Sequence, residues 1–293
     1  MAKPPTLRMR RLASQLRRLR EERGMTLDEA TALLHMSKSS LHRLESAKVT
    51  IRPWAVDHML RVYGVQDDSL RDSLITLAQA GRSKDWIKRH SALLGRPGAG
   101  ETIRVEQDSR RIRTFQTSVL PGLLQAPEYI RSVVRQPFGE QPEVERAVDL
   151  RSARKECLLR DDDPVDFVAV VPEMHIRQPL GGWQVLDQQL RHLLDLVVRE
   201  NIDIRILALE GTRNPGVDGP FTIFDAEDAD FELVVIESLL RTVYIDDEAQ
   251  VGRYSVVFEN LLEASLSKDE SRVRIEEALW NLGGPMAHEQ PQR

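Results

Sequence analysis

Four polar side chains near the start of a predicted helix are the residues best suited to chemistry in this sequence. Lys38, Ser39, His42 and Arg43 fall within an arc of about 140° when the helical period of about 100° per residue is applied. Leu41 lies on the opposite side, where it can dock the helix on other helices. Ammonium, hydroxyl, imidazole and guanidinium groups hydrogen-bond to base edges and phosphates of DNA. The alternative is an ordinary solvated helix face, which composition alone favours.

The starts of this helix and of the one before it are marked by capping residues. Thr26 and Glu29 have capping-box spacing and begin a second helix, Leu27–Leu34, and Ser37 caps a third that runs to Glu45. The backbone N–H groups at these two N-termini would also be available to phosphates.

The same periodicity predicts a compact helical domain of five helices over residues 1–80. Leu12, Leu16 and Leu19 form one apolar stripe on the first helix, which Gly24 ends. Pro53 begins the fourth helix, which runs to about Tyr63. The fifth helix is predicted to be capped by Ser69 and to end before Gly81.

Charge is distributed unevenly along the chain. Residues 1–64 carry a net charge of +7 and the remainder −12. A basic N-terminal segment followed by an acidic remainder favours contact of the N-terminal segment, and not of the remainder, with a polyanion. The alternative is ordinary fluctuation in a charged, arginine-rich protein.

The order of residues in this segment resembles the helix-turn-helix of the Xre family, the relatives of the lambda and 434 repressors. The matching positions are Met25, Thr26, Leu34, Met36, Ser37, Leu41, Arg43, Glu45, Lys48, Pro53 and the segment LRVYGV.

The resemblance implies that Lys38, Ser39 and Arg43 face the bases of double-stranded DNA, with His42 beside them. It places Lys48 and Arg52 near phosphates. It also implies an internal ion pair that joins the first and third helices. The two residues of this pair are Arg20 and Glu45.

Three residues depart from the family pattern. Leu27 replaces a phosphate-contacting glutamine, while His35 and Ala47 replace glycines that commonly hold a positive φ angle. These replacements predict a reshaped turn and weakened DNA binding, with the fold retained because the apolar positions are intact.

Residues 101–283 alternate helices and strands, which predicts an α+β domain with a mixed sheet covered by helices. The predicted helices are Thr102–Phe115, Pro127–Val134, Val144–Leu159, Val185–Arg199, Glu248–Leu266 and Ser271–Leu282. The predicted strands are Val165–Val171, Ile202–Leu209, Phe221–Phe224, Leu233–Ile236 and Val243–Ile245. Residues 81–100 are predicted to be a linker with a short helix at Trp86 and Ile87, and residues 284–293 a flexible tail.

No catalytic constellation is recognised in the second domain, so no enzyme activity is expected. The seven histidines include no metal-ligand spacing, and no phosphate-binding glycine loop is present, so neither a metal nor a cofactor is predicted. Cys157, the only cysteine, is interpreted as a partly buried structural residue, and its lack of a disulfide partner favours a cytoplasmic protein. DNA binding would associate such a protein with the nucleoid. No apolar run approaches the roughly 18 residues of a membrane span, so no membrane partner is expected.

A second resemblance covers most of the remaining chain. The segment SVLPGLLQAPEYI at 118–130 is similar to the signature of a group of actinobacterial regulators that includes the WhiJ-like developmental regulators. Further similar pieces follow in the same order, among them RAVDLRSARKECLL, PEMHIRQPLG and DGPFTIFDAED. This resemblance implies an antitoxin-like protein with a small partner protein encoded nearby, or a small-molecule effector.

Two segments are candidates for a ligand or partner site. The first is an apolar loop whose alternative role is core packing; it consists of Pro121, Gly122, Leu123, Leu124 and Gln125. The second is Glu173, His175 and Arg177, which follow the carboxyl end of a buried strand, where ligands often bind in α/β sheets. Its alternative role is local hydrogen bonding that ends the strand.

The sequence therefore predicts a transcriptional regulator that binds DNA as a homodimer, because short recognition helices usually need two half-sites. The alternative is an antitoxin-like interaction protein whose main role is to bind a small partner protein, with weak DNA binding.

Overall fold

The computed structural model describes residues 7–78, 99–138, 141–210, 215–216, 218–225, 231–238 and 242–283. The chain passes from a first compact unit to a second between Ser109 and Arg110. The predicted short helix at Trp86 and Ile87 and the predicted tail lie outside the described residues.

The described part of the first unit is helical. Its helices are α1 Leu7–Glu22, α2 Leu27–Leu34, α3 Lys38–Glu45, α4 Pro53–Val62, α5 Asp68–Ala78 and α6 Ala99–Asp108. Helix α6 begins inside the predicted linker and packs against α1.

One apolar core holds the first five helices together. It contains the predicted stripe residues Leu12 and Leu16, and it continues through Leu34, Leu41 and Tyr63, each less than a tenth exposed. Burial of a large apolar side chain contributes roughly 1.5–3 kcal/mol, so this core accounts for most of the stability of a small helical domain.

The start of α5 differs from the prediction. The carboxylate of Asp67, and not the hydroxyl of Ser69, caps the helix, because Asp67 Oδ1 accepts hydrogen bonds from the N–H groups of Ser69 at 2.9 Å and Leu70 at 3.2 Å. Asp67 and Ser69, two positions apart, are both good caps by residue type, and the sequence offered nothing to choose between them.

The second unit is built on a six-stranded mixed sheet. Its strands are β1 Arg111–Phe115, β2 Asp166–Pro172, β3 Ile202–Leu207, β4 Phe221–Asp225, β5 Glu232–Glu237 and β6 Thr242–Ile245. Their order is β3-β2-β1-β4-β5-β6, with β1, β2 and β3 parallel and the other neighbours antiparallel. The apolar runs of β2 and β5 are buried, as their composition predicts.

The predicted helix Thr102–Phe115 is wrong in its second half, since residues 111–115 form β1 near the centre of the sheet. The arginines of this segment are typical of a solvated helix face. Arg113 is instead buried, and it pairs with Asp225 at 2.9 Å and with Glu232. Partners more than a hundred residues away are invisible to local periodicity.

Helices cover both faces of the sheet. They are α7 Pro127–Phe138, α8 Gln141–Arg154, α9 Glu156–Leu159, α10 Met174–Arg177, α11 Trp183–Val197, α12 Glu248–Ala264 and α13 Lys268–Gly283. Helix α12 buries Val251, Phe258 and Leu261 against β-strand residues that include Phe115 and Phe221. Helices α7 and α8 pack through a separate small cluster around Ile130 and Val148.

Two helix boundaries in this unit also differ from the prediction. The predicted helix Val144–Leu159 is interrupted at Lys155, between α8 and α9. The last helix begins at Lys268 because Ser267 and Glu270 form a reciprocal cap. Ser271, the predicted start, is buried, and its hydroxyl accepts a hydrogen bond from the backbone N–H of Ile206 at 2.8 Å.

The predicted fold class is confirmed: a helical N-terminal domain is followed by an α+β domain with a mixed, helix-covered sheet. Among the described residues, no helix has both the length and the apolar content needed to cross a membrane.

Candidate nucleic-acid interface

Helices α2 and α3 form a helix-turn-helix whose turn is His35, Met36 and Ser37. The backbone of His35 is left-handed, with φ 51° and ψ 44°, and its N–H donates to the carbonyl of Thr31. Leu34 before the turn and Leu41 after it are both buried, which fixes α3 against the rest of the domain. The turn and the apolar anchor together decide which side of α3 faces outward.

The outward side of α3 carries the four predicted residues. Lys38, Ser39, His42 and Arg43 are all exposed, whereas Leu41 has no exposed surface. This surface presents hydrogen-bond donors and positive charge along one side of a short helix, from Lys38 in its first turn to Arg43 in its last, and such groups are suited to base readout in a major groove. We call these four residues the α3 face.

The side chains of Thr26 and Ser37 fix the starts of α2 and α3. The hydroxyl of Thr26 accepts a hydrogen bond from the N–H of Glu29 at 3.3 Å, and Glu29 Oε2 accepts one from the N–H of Thr26 at 2.8 Å. The backbone hydrogen bond from Thr26 lowers the pKa of Glu29. The hydroxyl of Ser37 accepts from the N–H of Ser40 at 3.1 Å.

An ion pair that the sequence analysis missed joins α2 to the α3 face. Lys38 Nζ lies 2.8 Å from Asp28 Oδ2, and both side chains are more than half exposed. A phosphate that approaches Lys38 must therefore compete with Asp28. The ten-residue separation falls outside the helical i,i+4 spacing, so no local rule indicates this contact.

Arg20 and Glu45 lie against each other between α1 and the end of α3. Arg20 Nε donates to Glu45 Oε1 at 2.7 Å and Arg20 Nη2 donates to Glu45 Oε2 at 3.0 Å. The guanidinium also donates from Nη1 to the carbonyl of Met25 at 2.7 Å, which ties the α1–α2 turn to the pair. The side chains are 7% and 5% exposed, and the hydrogen bond to Glu45 raises the pKa of Arg20. This bidentate ion pair fixes the position of α3 relative to α1.

The predicted phosphate-contacting residues flank the loop between α3 and α4. Lys48 is exposed just after Ala47, and Arg52 is exposed at the residue that precedes α4, where its side chain makes no capping hydrogen bond. Trp54, which the sequence analysis did not single out, is 68% exposed on the first turn of α4.

The three departures from the family pattern leave the backbone geometry in place. His35 and Ala47 adopt φ angles of 51° and 54°, so the left-handed conformation persists without glycine, at a cost of about 1–2 kcal/mol for each residue. The predicted reshaping of the turn is wrong in this respect. Leu27 packs partly buried against the helical core, where a glutamine would stay polar and exposed.

The first C-terminal candidate, Pro121–Gln125, is folded into the second unit. Residues Gly122–Leu124 form a short 3-10 helix, and Leu123, Leu124 and Gln125 are at most 4% exposed. Gln189 anchors the segment, since its side chain donates to the carbonyl of Leu124 at 2.8 Å and accepts from the N–H of Ala126 at 2.6 Å. The apolar side chains of this segment are therefore core residues.

The second C-terminal candidate forms a compact network at the end of β2. The fully buried carboxylate of Glu173 accepts hydrogen bonds from Arg177, from Arg274 at 2.8 Å and from the N–H of Leu209 at 2.9 Å. His175 is also buried, and burial lowers its pKa. Hydrogen-bond donors of this chain therefore already satisfy the Glu173 carboxylate.

The Cys157 side chain is fully buried. Across the described ranges, no three side chains of His, Cys, Asp or Glu are grouped in a way that could hold a metal ion.

The fold and the α3 face together define a helix-turn-helix protein with a C-terminal α+β domain. A family profile described as a helix-turn-helix domain matches residues 11–74. A second profile, the domain of unknown function DUF5753, matches residues 100–277, more than half of the chain, and the chain belongs to this family. No curated protein and no solved structure shows a significant match.

Proposed function

We propose that this protein is a sequence-specific transcriptional regulator that places α3 in the major groove of double-stranded DNA. The exposed α3 face opposite the buried Leu41 is the observation that carries the proposal. The resemblance of residues 25–48 to the Xre family and of residues 118–130 to WhiJ-like actinobacterial regulators supports it. The C-terminal domain then binds a small partner protein or a ligand, and the protein acts in the cytoplasm as a dimer and not as an enzyme.

Each residue of the interface has a separate role in this proposal. Arg43 reads a guanine through its two-pronged guanidinium, with Lys38, Ser39 and His42 beside it. Lys48 and Arg52 contact phosphates, and the N-termini of α2 and α3 at Thr26 and Ser37 add backbone N–H donors. The Arg20–Glu45 pair positions α3 and makes no contact with DNA.

The decisive experiment measures binding of the purified protein to DNA from its own upstream region and to scrambled DNA, over a series of salt concentrations. We expect selective binding whose affinity falls steeply with salt, because phosphate contacts release counterions. Arg43→Ala is expected to reduce affinity for the selected site roughly 5- to 150-fold, since one bidentate base contact is worth about 1–3 kcal/mol.

The matched control is Arg61→Ala. Arg61 is exposed near the far end of α4, where it pairs with Asp57 at 2.6 Å, so its loss removes the same charge away from the α3 face. Equal weakening by both variants, or unchanged selectivity in the Arg43 variant, would show that α3 does not read sequence.

The Asp28–Lys38 pair favours one alternative, an antitoxin-like interaction protein with weak DNA binding. This pair offsets one cation of the α3 face, and Leu27 supplies no polar contact at the start of α2. Under this alternative a small protein co-purifies with the chain, and DNA affinity stays negligible and unselective at every salt concentration.

A further inference from the structure

Basic side chains converge on one buried glutamine of the second unit. Arg151 Nη1 donates to Gln125 Oε1 at 2.7 Å, and Lys155 Nζ donates to the backbone carbonyl of Gln125. Lys155 Nζ also lies 3.1 Å from His192 Nε2 on α11. The guanidinium of Arg154 lies beside Gly122, where an added Cβ would be 3.6 Å from Nη2. We call these side chains, with Gln125, the Gln125 cluster.

Two members of the cluster, Gln125 and Lys155, lie away from bulk water, while Arg151, Arg154 and His192 are half-buried. Gln125 is 1% and Lys155 is 6% exposed. Burial lowers the pKa of Lys155 to about 8, and burial together with the charge of Arg154 lowers that of Arg151 to about 10. Burial and the neighbouring Lys155 lower the pKa of His192 to about 4, so this imidazole is neutral at pH 7.

Arg151 and Lys155 differ in their counter-charge from the buried arginines Arg20 and Arg113, each of which forms an ion pair with a carboxylate. Among the described residues, no carboxylate forms an ion pair with Arg151 or Lys155. Glu237 acts on Arg151 and Asp195 on His192 only through longer-range attraction. In the same unit, buried Arg113 contacts two carboxylates, those of Asp225 and Glu232. Buried charge without a counter-charge is costly unless a bound partner supplies one.

We propose that the Gln125 cluster binds an oxyanion, the carboxylate or phosphate group of a small ligand of the C-terminal domain. The Arg151 guanidinium offers unused N–H groups in a planar fork that matches both kinds of oxyanion, and Lys155 adds an ammonium in a low-dielectric environment. The neutral His192 adds no competing charge. The inference deepens the proposed function, because it names the class of ligand that the second domain senses.

The test compares thermal unfolding of the full chain at pH 7 in chloride, inorganic phosphate and succinate at equal ionic strength. At least one oxyanion is expected to raise Tm by about 2–4 °C over chloride. A ligand at about ten times its Kd for a single site would give a shift of this size in a protein of this length. A shift with phosphate alone identifies a phosphorylated ligand, one with succinate alone a carboxylic acid, and one with both a general oxyanion site.

Three variants separate site binding from the general stabilisation that phosphate gives to any folded protein. Arg151→Gln and Lys155→Gln are expected to lose the shift. Arg191→Gln is the control, since it removes an exposed guanidinium that pairs with Asp187 on α11, and it should keep the full shift. If Lys155→Gln does not fold, Arg151→Gln at the half-buried position still decides the matter.

Absence of any oxyanion effect beyond chloride, or equal shifts in all three variants, overturns the inference. The assay contains no DNA, so such a result leaves the salt-series experiment on the α3 face unaffected. Conversely, a protein that fails to bind DNA can still show the oxyanion shift.

Discussion

Two sites, the Arg20–Glu45 pair of the helical unit and the Gln125 cluster of the α+β unit, treat buried positive charge in opposite ways. In the helical unit, Arg20 meets the carboxylate of Glu45 through two hydrogen bonds and fixes α3 in place. In the α+β unit, Arg151 and Lys155 are held by an amide oxygen, a carbonyl and an imidazole. The first arrangement is complete within the chain, which is typical of a structural element. In the second arrangement, N–H groups of Arg151 have no acceptor among the described residues, which is typical of a binding site.

Removal of one partner from the Arg20–Glu45 pair should give the largest change in the free energy of unfolding. Glu45→Ala leaves the buried Arg20 guanidinium with only the exposed Glu21 carboxylate, 3.2 Å from Nη2, as a counter-charge. We therefore expect a loss of about 3 kcal/mol in the free energy of unfolding of the helical domain, at the lower end of the range for a broken buried pair. Denaturant unfolding followed by circular dichroism measures it. Glu22→Ala is the control, since Glu22 and Arg18 form an exposed pair worth at most about 1 kcal/mol. Similar losses in both variants would contradict a special role for the buried pair.

The Gln125 cluster should instead affect how the free energy of unfolding depends on pH. The pKa of His192 is about 4 in the folded chain and about 6.5 in the unfolded chain. The unfolded chain therefore binds the extra proton between these values, so this contribution is complete above pH 6.5 and is lost as pH falls towards 4. Between pH 7 and pH 5, the free energy of unfolding of His192→Gln should therefore fall by about 2 kcal/mol less than that of the wild type.

Thermal or urea unfolding of the wild type and the variant from pH 7 to pH 4 provides the measurement. The charged groups that act on His192 are Lys155 and Asp195, and both remain in the variant. His58→Gln, at an exposed site on α4, should leave the acid limb unchanged. Parallel pH profiles for wild type and His192→Gln would remove the electrostatic basis of the cluster.

The exposed Asp28–Lys38 pair should give the smallest effect, and it should appear in binding rather than in stability. Asp28→Asn frees Lys38 and removes a negative charge beside the α3 face. We expect DNA affinity to rise by about threefold, in line with an exposed pair worth below 1 kcal/mol, and to rise less at high salt. Fluorescence anisotropy measures it, with Asp72→Asn on α5 as the control of equal charge. An unchanged affinity would mean that Lys38 does not contact DNA.

Sequence reasoning succeeded where the determinants are local. Thr26, Ser37 and Pro53 mark the starts of three helices within a few residues, so α2, α3 and α4 begin where the sequence predicts. The exposure of the α3 face follows from the same helical period. The strands of the second unit were predicted from their apolar composition, apart from β1, whose buried Arg113 depends on acidic partners far along the chain.

The Gln125 cluster could not have been predicted from the sequence. Its members come from the end of the 3-10 segment, from α8, from Lys155 between α8 and α9, and from α11. They are brought together only by the packing of these elements. The sequence analysis selected the segment Pro121–Gln125 for its apolar residues, which are core residues. The polar group at its end, Gln125, is the one that the basic side chains contact.

The position of β1 in the sheet has a consequence for synthesis on the ribosome. β1 is the first strand of its domain in the chain, yet its neighbours are β2, which begins at Asp166, and β4, which begins at Phe221. The core of the first five helices, by contrast, is formed by residues 12–78. Local contacts form quickly and long-range strand pairs slowly. The helix-turn-helix therefore completes its fold on the nascent chain while β1 still awaits both of its neighbours.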